Sequence, residues 1–161
     1  MGTEIERKFL VHTESWRRAD AVEYAQGYLN RDRERTVRVR VAGDRAWLTI
    51  KGRSVGASRP EFEYEIPVAD AEQLLALSDR PVVRKRRHLV PCGGFTWEVD
   101  EFLGDNEGLV VAEIELDAED QTFEKPDWVG EEVTDDPRYF NSSLATEPYR
   151  LWKSPGAGEA G

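Results

Sequence analysis

The sequence predicts one domain, residues 1–152, of α+β class but mainly β: an eight-stranded antiparallel barrel closed on itself, with a charged interior and helices packed outside. Two observations and one general principle support this prediction. Apolar and polar residues alternate with a period of two through most of the chain, which is typical of strands with one buried face. Turn motifs such as AGDR and PCGG separate successive segments. Closing consecutive antiparallel strands into a barrel leaves no exposed edge.

Eight segments alternate in this way, and each is predicted as a strand: residues 4–11, 21–29, 36–42, 46–51, 59–67, 82–90, 95–102 and 109–117. DAEQLLALSD, at residues 70–79, has leucines at helical spacing and predicts a helix, and residues 13–20 predict a shorter one. After residue 117 the alternation stops, and scattered aromatic residues predict a loop with short helices. Residues 153–161 have little to bury and predict a flexible tail.

The composition narrows the classes of function. A net charge of −10 argues against general binding to nucleic acid or to a membrane surface, because both need a basic footprint. A single cysteine excludes an internal disulfide, which favours a cytoplasmic protein. No run of apolar residues is long enough for a spanning helix, and the first residues are too charged for a signal peptide.

Nearly every predicted strand has one apolar and one charged face. A solvated sheet surface is the ordinary explanation of that pattern, but such a surface mixes both signs of charge locally. Here the signs are sorted by strand: Arg38 with Arg40, Lys85 with Arg87, Glu61 with Glu63 and Glu65, Glu98 with Asp100, and Glu113 with Glu115. The helices and the C-terminal segment also need apolar surfaces to pack on. We therefore expect the apolar faces to lie outward and the charged faces to line a water-filled tunnel.

The stretch EIERK, in the first predicted strand, indicates what this tunnel holds. Glu4, Glu6 and Lys8 share one face, and Ile5 lies on the other. Two carboxylates about 5 Å apart repel by roughly 3 kcal/mol at an effective dielectric constant of about 20. A carboxylate cluster therefore needs a hard divalent cation such as Mg²⁺ or Mn²⁺. The basic strands need an anion, and a polyphosphate suits both because its oxygens bind the metal, arginine and lysine together.

Several motifs, in order from about residue 2 to residue 152, carry a resemblance to a known family. They are ExExK at residues 4–8, QGYL at 26–29, TVRVR at 36–40, LTIKG at 48–52, RPEFEYEIP at 59–67, WEVDEF at 97–102, AEIEL at 112–116 and RYFNSSLA at 138–145. The chain resembles the CYTH proteins, also called triphosphate tunnel metalloenzymes, of the short bacterial stand-alone type. This resemblance implies an eight-stranded tunnel that holds divalent metal and acts on a triphosphate.

The resemblance also implies roles for individual residues. The metal-binding carboxylates are Glu4, Glu6, Glu113 and Glu115. The residues that bind the triphosphate are Lys8, Arg38, Arg40, Lys51, Lys85 and Arg87. Lys8, Glu61 and Glu63 are the catalytic candidates, the two glutamates through a second metal or through activation of water. Further candidates with less defined roles are Tyr28, Arg59, Glu65, Glu98 and Asp100.

The leading functional hypothesis is hydrolysis of a small anionic triphosphate, inorganic tripolyphosphate before others, to diphosphate and orthophosphate. A class IV adenylyl cyclase or a thiamine triphosphatase would use the same tunnel, and no stretch of the sequence clearly supplies an adenine pocket. A polyphosphate- or nucleotide-binding module without activity is a further alternative, although a pure binder of polyanions has little need for so many carboxylates. A lipocalin-like carrier would require the opposite arrangement, with an apolar interior. A homodimer is left open.

Overall fold

Nine strands form one antiparallel sheet in the computed structural model, which describes residues 2–78 and 81–152. The strands are β1 (Gly2–Val11), β2 (Val22–Asn30), β3 (Thr36–Ala42), β4 (Arg45–Lys51), β5 (Ser58–Ile66), β6 (Val83–Cys92), β7 (Phe95–Phe102), β8 (Val110–Glu115) and β9 (Val129–Glu132). Their order is β5-β4-β3-β2-β6-β7-β8-β1-β9, and an additional pairing of β5 with β1 closes the first eight into a barrel. The predicted fold class is therefore confirmed.

The helices are few and short. They are α1 (Val68–Ala76), α2 (Asn141–Thr146) and three 3₁₀ turns at Gly104–Asn106, Pro137–Tyr139 and Tyr149–Leu151. Among the described residues, none of these helices has the length and apolar run needed to cross a bilayer. The predicted tail, residues 153–161, lies outside the described residues.

The eight predicted strands all form, and their ends agree with the prediction within two residues. The helix predicted at residues 70–79 forms as α1, which begins two residues earlier and ends at Ala76. Residue 79 itself lies outside the described residues. The helix predicted at residues 13–20 is wrong, because this segment consists of turns. Trp16 is buried, and its indole N–H donates to the carbonyl of Thr13 at 2.9 Å. Thr13 has a φ of 57°, in the left-handed region that a helix does not use.

β9 was not predicted. It pairs with the C-terminal half of β1 at Phe9 and Val11, whereas the N-terminal half of β1, from Gly2 to Ile5, pairs with β5. The barrel therefore closes through only four paired residues of β1. β9 covers the part of the β1 edge that β5 does not reach. Four residues are too few to show a period-two pattern.

Apolar residues on the outer faces of the strands form two core clusters. One lies under α1 and includes Val39, Ala46 and Ala71, each with no exposed surface. The other covers the outside of β1, β6, β7 and β8 and centres on Phe9 and Trp97. The rings of these two residues meet edge to face at 5.6 Å, a favoured aromatic geometry. Helix and loops thus cover the outer apolar faces, as expected.

The C-terminal segment follows the prediction only in its first part. We expected it to pack on outward faces, and Phe123, Trp128 and Val129 do so, in the cluster around Phe9 and Trp97. The part from Val133 onward packs instead against apolar residues on the inner faces, at one end of the barrel. This end cluster consists of Leu10, Tyr28, Val83, Phe102, Leu109, Val111, Val133, Tyr139, Leu144, Ala145, Tyr149 and Trp152. Leu10 shares its face of β1 with Lys8, and Val83 shares its face of β6 with Lys85. The inner face is therefore charged in the middle and apolar at this end, which the C-terminal segment closes.

Candidate active site

A charged cavity of about 270 Å³ occupies the inside of the barrel. Its acidic lining residues are Glu4, Glu6, Glu61, Glu63, Glu98, Glu113 and Glu115. Its basic lining residues are Lys8, Arg38, Arg40, Lys51, Arg59, Lys85 and Arg87. Tyr28 and the C-terminal residues Phe140, Asn141 and Ser142 also line it. Strand alternation explains the arrangement, because every second residue of a strand points to the same face. The charged faces thus point inward, contrary to a lipocalin-like interior.

Lys8 joins two of the carboxylates. Its Nζ atom lies 2.9 Å from Glu6 and 2.6 Å from Glu113, which is its register partner on β8. Burial opposes the charge of this ammonium, but the two carboxylates raise the pKa of Lys8 above its ordinary value. Lys8 is therefore a permanent cation at the centre of the acidic wall.

A second lysine joins another acidic pair. Lys51 lies 2.9 Å from Glu4 and 3.6 Å from Glu61. Next to this group, burial raises the pKa of Glu115, and the charges of Glu4, Glu61 and Glu6 raise it further. The carboxylates of this wall thus repel one another, and a cation among them would relieve the repulsion.

The basic wall contains an arginine with unused hydrogen-bonding capacity. Arg38 is 6% exposed; its Nη2 donates to the Thr49 hydroxyl at 3.2 Å and lies 3.7 Å from Glu63. Its Nε–H is buried and has no acceptor. An unpaired buried donor is costly, and an anion oxygen in the cavity would satisfy it. Thr49 in turn donates to Glu63 at 3.1 Å, which ties this carboxylate to the same place.

Lys85, Arg87 and Asp100 form a buried network on β6 and β7. Asp100 accepts two hydrogen bonds from Arg87, at 2.8 and 2.9 Å, and lies 2.7 Å from Lys85. Burial raises the pKa of Asp100, but its two cationic neighbours outweigh this and hold it well below the usual range. Lys85 also donates to the Asn141 side chain at 3.1 Å, which links the C-terminal segment to the basic wall.

Two of the candidates with less defined roles lie off the cavity. Glu65 is exposed and pairs with Arg45 at 2.7 Å, so it lies outside the site even though it alternates with Glu61 and Glu63. Asp100 supports the cavity wall through Arg87 and Lys85 and does not line the cavity itself.

The remaining candidates with less defined roles do line the cavity. They are Tyr28, Arg59 and Glu98. Glu98 lies 3.3 Å from Arg87. Burial raises the pKa of Glu98 to about 6; Arg87 opposes this shift and Glu113 reinforces it. All residues predicted to bind metal or triphosphate also line the cavity, and their individual roles remain proposals.

Sequence reasoning missed several uncharged site residues. Thr49 and Gln26 are fully buried and hydrogen-bond to Arg38 and Arg40 respectively. Asn141 enters from the C-terminal segment. Strand alternation could have identified two of them. Thr49 shares its face of β4 with Lys51, and Gln26 shares its face of β2 with Tyr28. No local pattern distinguishes Asn141, because only the tertiary fold brings it to the barrel.

The comparisons with known proteins agree with this geometry. A family model described as the CYTH domain matches residues 2–149. The chain belongs to the CYTH domain family. Among curated relatives, the inorganic triphosphatase of Acetivibrio thermocellus is 54% identical over 155 residues, which cover 95% of this chain and 99% of the relative. The inorganic triphosphatase of Nitrosomonas europaea is 40% identical over 148 residues, or 89% of this chain and 97% of the relative.

A solved structure shows the same fold. The crystal structure of an inorganic triphosphatase is 38% identical to this CYTH domain and matches it with a TM-score of 0.65, over 90% of this chain and 95% of the other. A conserved hypothetical protein from Pyrococcus furiosus, at 21% identity and a TM-score of 0.56, supports the fold alone; the match covers 73% of this chain and 80% of that protein.

Membership of this family implies a divalent metal, and the donor set fits one in its chemistry. Seven carboxylates and seven cationic groups line the cavity, so a bound polyanion adds negative charge that the lining does not offset. Carboxylate oxygens are the ligands that hard divalent cations prefer. Across residues 2–78 and 81–152, no three acidic, histidine or cysteine side chains already converge as a metal-binding group. Four of the cavity carboxylates are instead paired with lysines: Glu6 and Glu113 with Lys8, and Glu4 and Glu61 with Lys51.

Proposed function

We propose that this CYTH domain hydrolyses inorganic tripolyphosphate to diphosphate and orthophosphate, with Mg²⁺ or Mn²⁺ as the divalent ion. The observation that carries the proposal is Arg38, whose buried Nε–H has no acceptor in a cavity lined by six other basic residues. This arrangement suits an anion with many oxygens. Two curated relatives, both named inorganic triphosphatase, support the same substrate class.

The basic wall binds and orients the substrate. Arg38 offers a rigid fork of donors, whereas Lys85, at the end that the C-terminal segment closes, offers an ammonium that a bound phosphate keeps protonated. Arg40, Lys51 and Arg87 complete the set of cations that hold the phosphate oxygens. Fixing the chain of phosphates in one orientation places a terminal phosphorus for in-line attack, which accounts for much of phosphoryl-transfer catalysis.

The acidic wall would hold the divalent ion. Glu4, Glu6, Glu113 and Glu115, which line the cavity, would supply its carboxylate oxygens. When bound, such an ion neutralises phosphate oxygens as a Lewis acid. Lys8, already ion-paired with Glu6 and Glu113, contributes a permanent positive charge where the leaving diphosphate develops negative charge.

Glu61 and Glu63 are the proposed acceptors of the proton of the attacking water. Glu63 accepts a hydrogen bond from Thr49 and lies 3.7 Å from Arg38. Glu61 lies 3.6 Å from Lys51. The water oxygen forms a bond to the terminal phosphorus, and the bond from that phosphorus to the bridging oxygen breaks. The electron pair of this bond leaves with diphosphate, and the carboxylate takes up the water proton.

A substrate panel tests the proposal. Purified protein is incubated with Mg²⁺ or Mn²⁺ and with tripolyphosphate, ATP or thiamine triphosphate, and the products are separated by ion chromatography. We expect tripolyphosphate to be used with the highest kcat/KM and to give equal amounts of diphosphate and orthophosphate. Formation of cyclic AMP, or a preference for thiamine triphosphate, would assign the cavity to one of the alternative activities. Tight binding without turnover would make the domain a binding module.

A further inference from the structure

Tyr24 on β2 lies between two arginines of the cavity. The guanidinium carbon of Arg40 is 5.1 Å from the centre of its ring, and that of Arg87 is 4.7 Å from it. Tyr24 shares its face of the strand with Gln26 and Tyr28, which lies in the cavity wall, so its ring points to the inside of the barrel. It is half-buried and does not itself line the cavity.

The two arginines need such a neighbour because they carry the same charge. Burial, together with the charges of Arg38 and Arg87, lowers the pKa of Arg40 to about 10. Arg87 has Asp100 and Glu98 as ion-pair partners. Arg40 donates instead to the neutral Gln26 side chain at 3.2 Å, and no carboxylate of the described segments forms an ion pair with it.

We propose that Tyr24 is a positioning residue, whose ring holds Arg40 and Arg87 side by side so that both point at the substrate. The face of an aromatic ring is electron-rich and attracts a cation within about 6 Å. A ring in contact with two guanidinium groups offsets part of their repulsion without neutralising either, so both charges remain available to an anion. This inference rests on the proposed function, because the anion held by these arginines is the triphosphate.

The first test compares Tyr24→Leu with Tyr24→Phe. Loss of the ring in Tyr24→Leu should raise the KM for tripolyphosphate by about tenfold, the size expected for a partly desolvated cation–π contact. We expect kcat to change less than about twofold, because the arginines bind the ground state and the transition state alike. Tyr24→Phe keeps the ring and should keep the wild-type KM. Tyr64→Leu is the matched control, since Tyr64 is 56% exposed on the opposite face of a barrel strand.

The second test separates ring electronics from packing. Phenylalanines with one, two or three ring fluorines at position 24 keep the shape but withdraw electrons from the ring face. The logarithm of the tripolyphosphate dissociation constant, measured by calorimetry, should rise with each fluorine while the unfolding midpoint stays constant. An affinity that is the same across the fluorine series, or a Tyr24→Leu variant with wild-type KM, would overturn the inference.

The two proposals fail in different ways. A wild-type protein that binds tripolyphosphate but never hydrolyses it contradicts the proposed activity, whereas the affinity series at position 24 still decides the role of Tyr24. A wild-type protein that binds no tripolyphosphate overturns both.

Discussion

Lys51 on β4 reaches past β5 to place its ammonium 2.9 Å from the Glu4 carboxylate on β1. This contact crosses the seam at which β1 and β5 close the barrel. It joins a residue proposed to bind phosphate with one proposed to bind metal. The pair shows how closely the two kinds of charge are interleaved, and it makes Glu4 the most informative carboxylate to change.

Changing Glu4 to Gln should remove metal-dependent activity. The substitution keeps the size of the side chain but removes the charge needed to bind a divalent ion, so kcat/KM for tripolyphosphate should fall by at least about a hundredfold. Orthophosphate release at several Mg²⁺ concentrations measures this. Glu65→Gln is the control, because Glu65 is exposed outside the cavity. Full activity of Glu4→Gln would contradict the assignment of Glu4 to the metal.

Arg38 should not be replaceable by lysine. A lysine keeps the charge but loses the donor fork, including the Nε–H that has no acceptor in the protein. We expect kcat/KM for tripolyphosphate to fall by about 10- to 100-fold, which corresponds to roughly 1.4 to 2.7 kcal/mol of transition-state binding. Arg45→Lys, at an exposed arginine paired with Glu65, is the matched control. Equal kinetics for the two variants would show that Arg38 acts only as a charge.

Lys85 should make stability depend on pH. Burial lowers its pKa to about 7; Asp100 opposes this shift, while Arg87 and Arg40 reinforce it. The unfolded chain keeps this proton to about pH 10.4, and the folded protein releases it near pH 7. Between these values the unfolded chain binds more protons. The free energy of unfolding should therefore rise with pH, by at most about 1.4 kcal/mol per pH unit.

Urea denaturation at pH 7, 8 and 9 measures this slope. Lys85→Met should lose it, whereas Lys125→Met, at an exposed lysine, should retain it. Parallel stability curves for wild type and Lys85→Met would show that Lys85 stays protonated in the folded protein across this range.

Leu144 should matter for stability because it anchors the C-terminal segment in the end of the barrel. Its side chain is 1% exposed and belongs to the end cluster. Leu144→Ala should lower the free energy of unfolding by about 2–5 kcal/mol, as for other buried leucines. Leu77→Ala, at a leucine that is 70% exposed, should change it by less than about 0.5 kcal/mol. Similar denaturation midpoints for the two variants would contradict the packing role.

The barrel was predictable from sequence because each strand carries its own signal. Arg38 and Arg40 alternate with Val37 and Val39, so the two faces of β3 are readable without the rest of the fold. The same alternation identified the cavity side of Glu4, Glu6 and Lys8. It failed at Glu65, which follows the pattern of Glu61 and Glu63 but lies beyond the cavity, since alternation gives the face and not the position along the barrel axis.

Features that depend on tertiary contacts were not predictable. β9 has four residues, and it forms by pairing with the free half of the β1 edge. The inward packing of the C-terminal segment depends on Phe102 and Val111, which look like ordinary members of alternating strands. Trp47 is likewise an exception to the charged character of its face of β4: it shares that face with Lys51, and the guanidinium carbon of Arg45 lies 5.2 Å from the centre of its ring. The cytoplasmic location and the homodimer stay predictions.

The most direct test of the central claim is a ³¹P NMR time course of tripolyphosphate with the wild-type protein and Mg²⁺. The account predicts that the tripolyphosphate signals are replaced by those of diphosphate and orthophosphate in a 1:1 molar ratio, and that chelation of the metal stops the conversion. Tripolyphosphate that persists with either Mg²⁺ or Mn²⁺, or that is hydrolysed equally fast after chelation, would contradict a metal-dependent triphosphatase site inside this barrel.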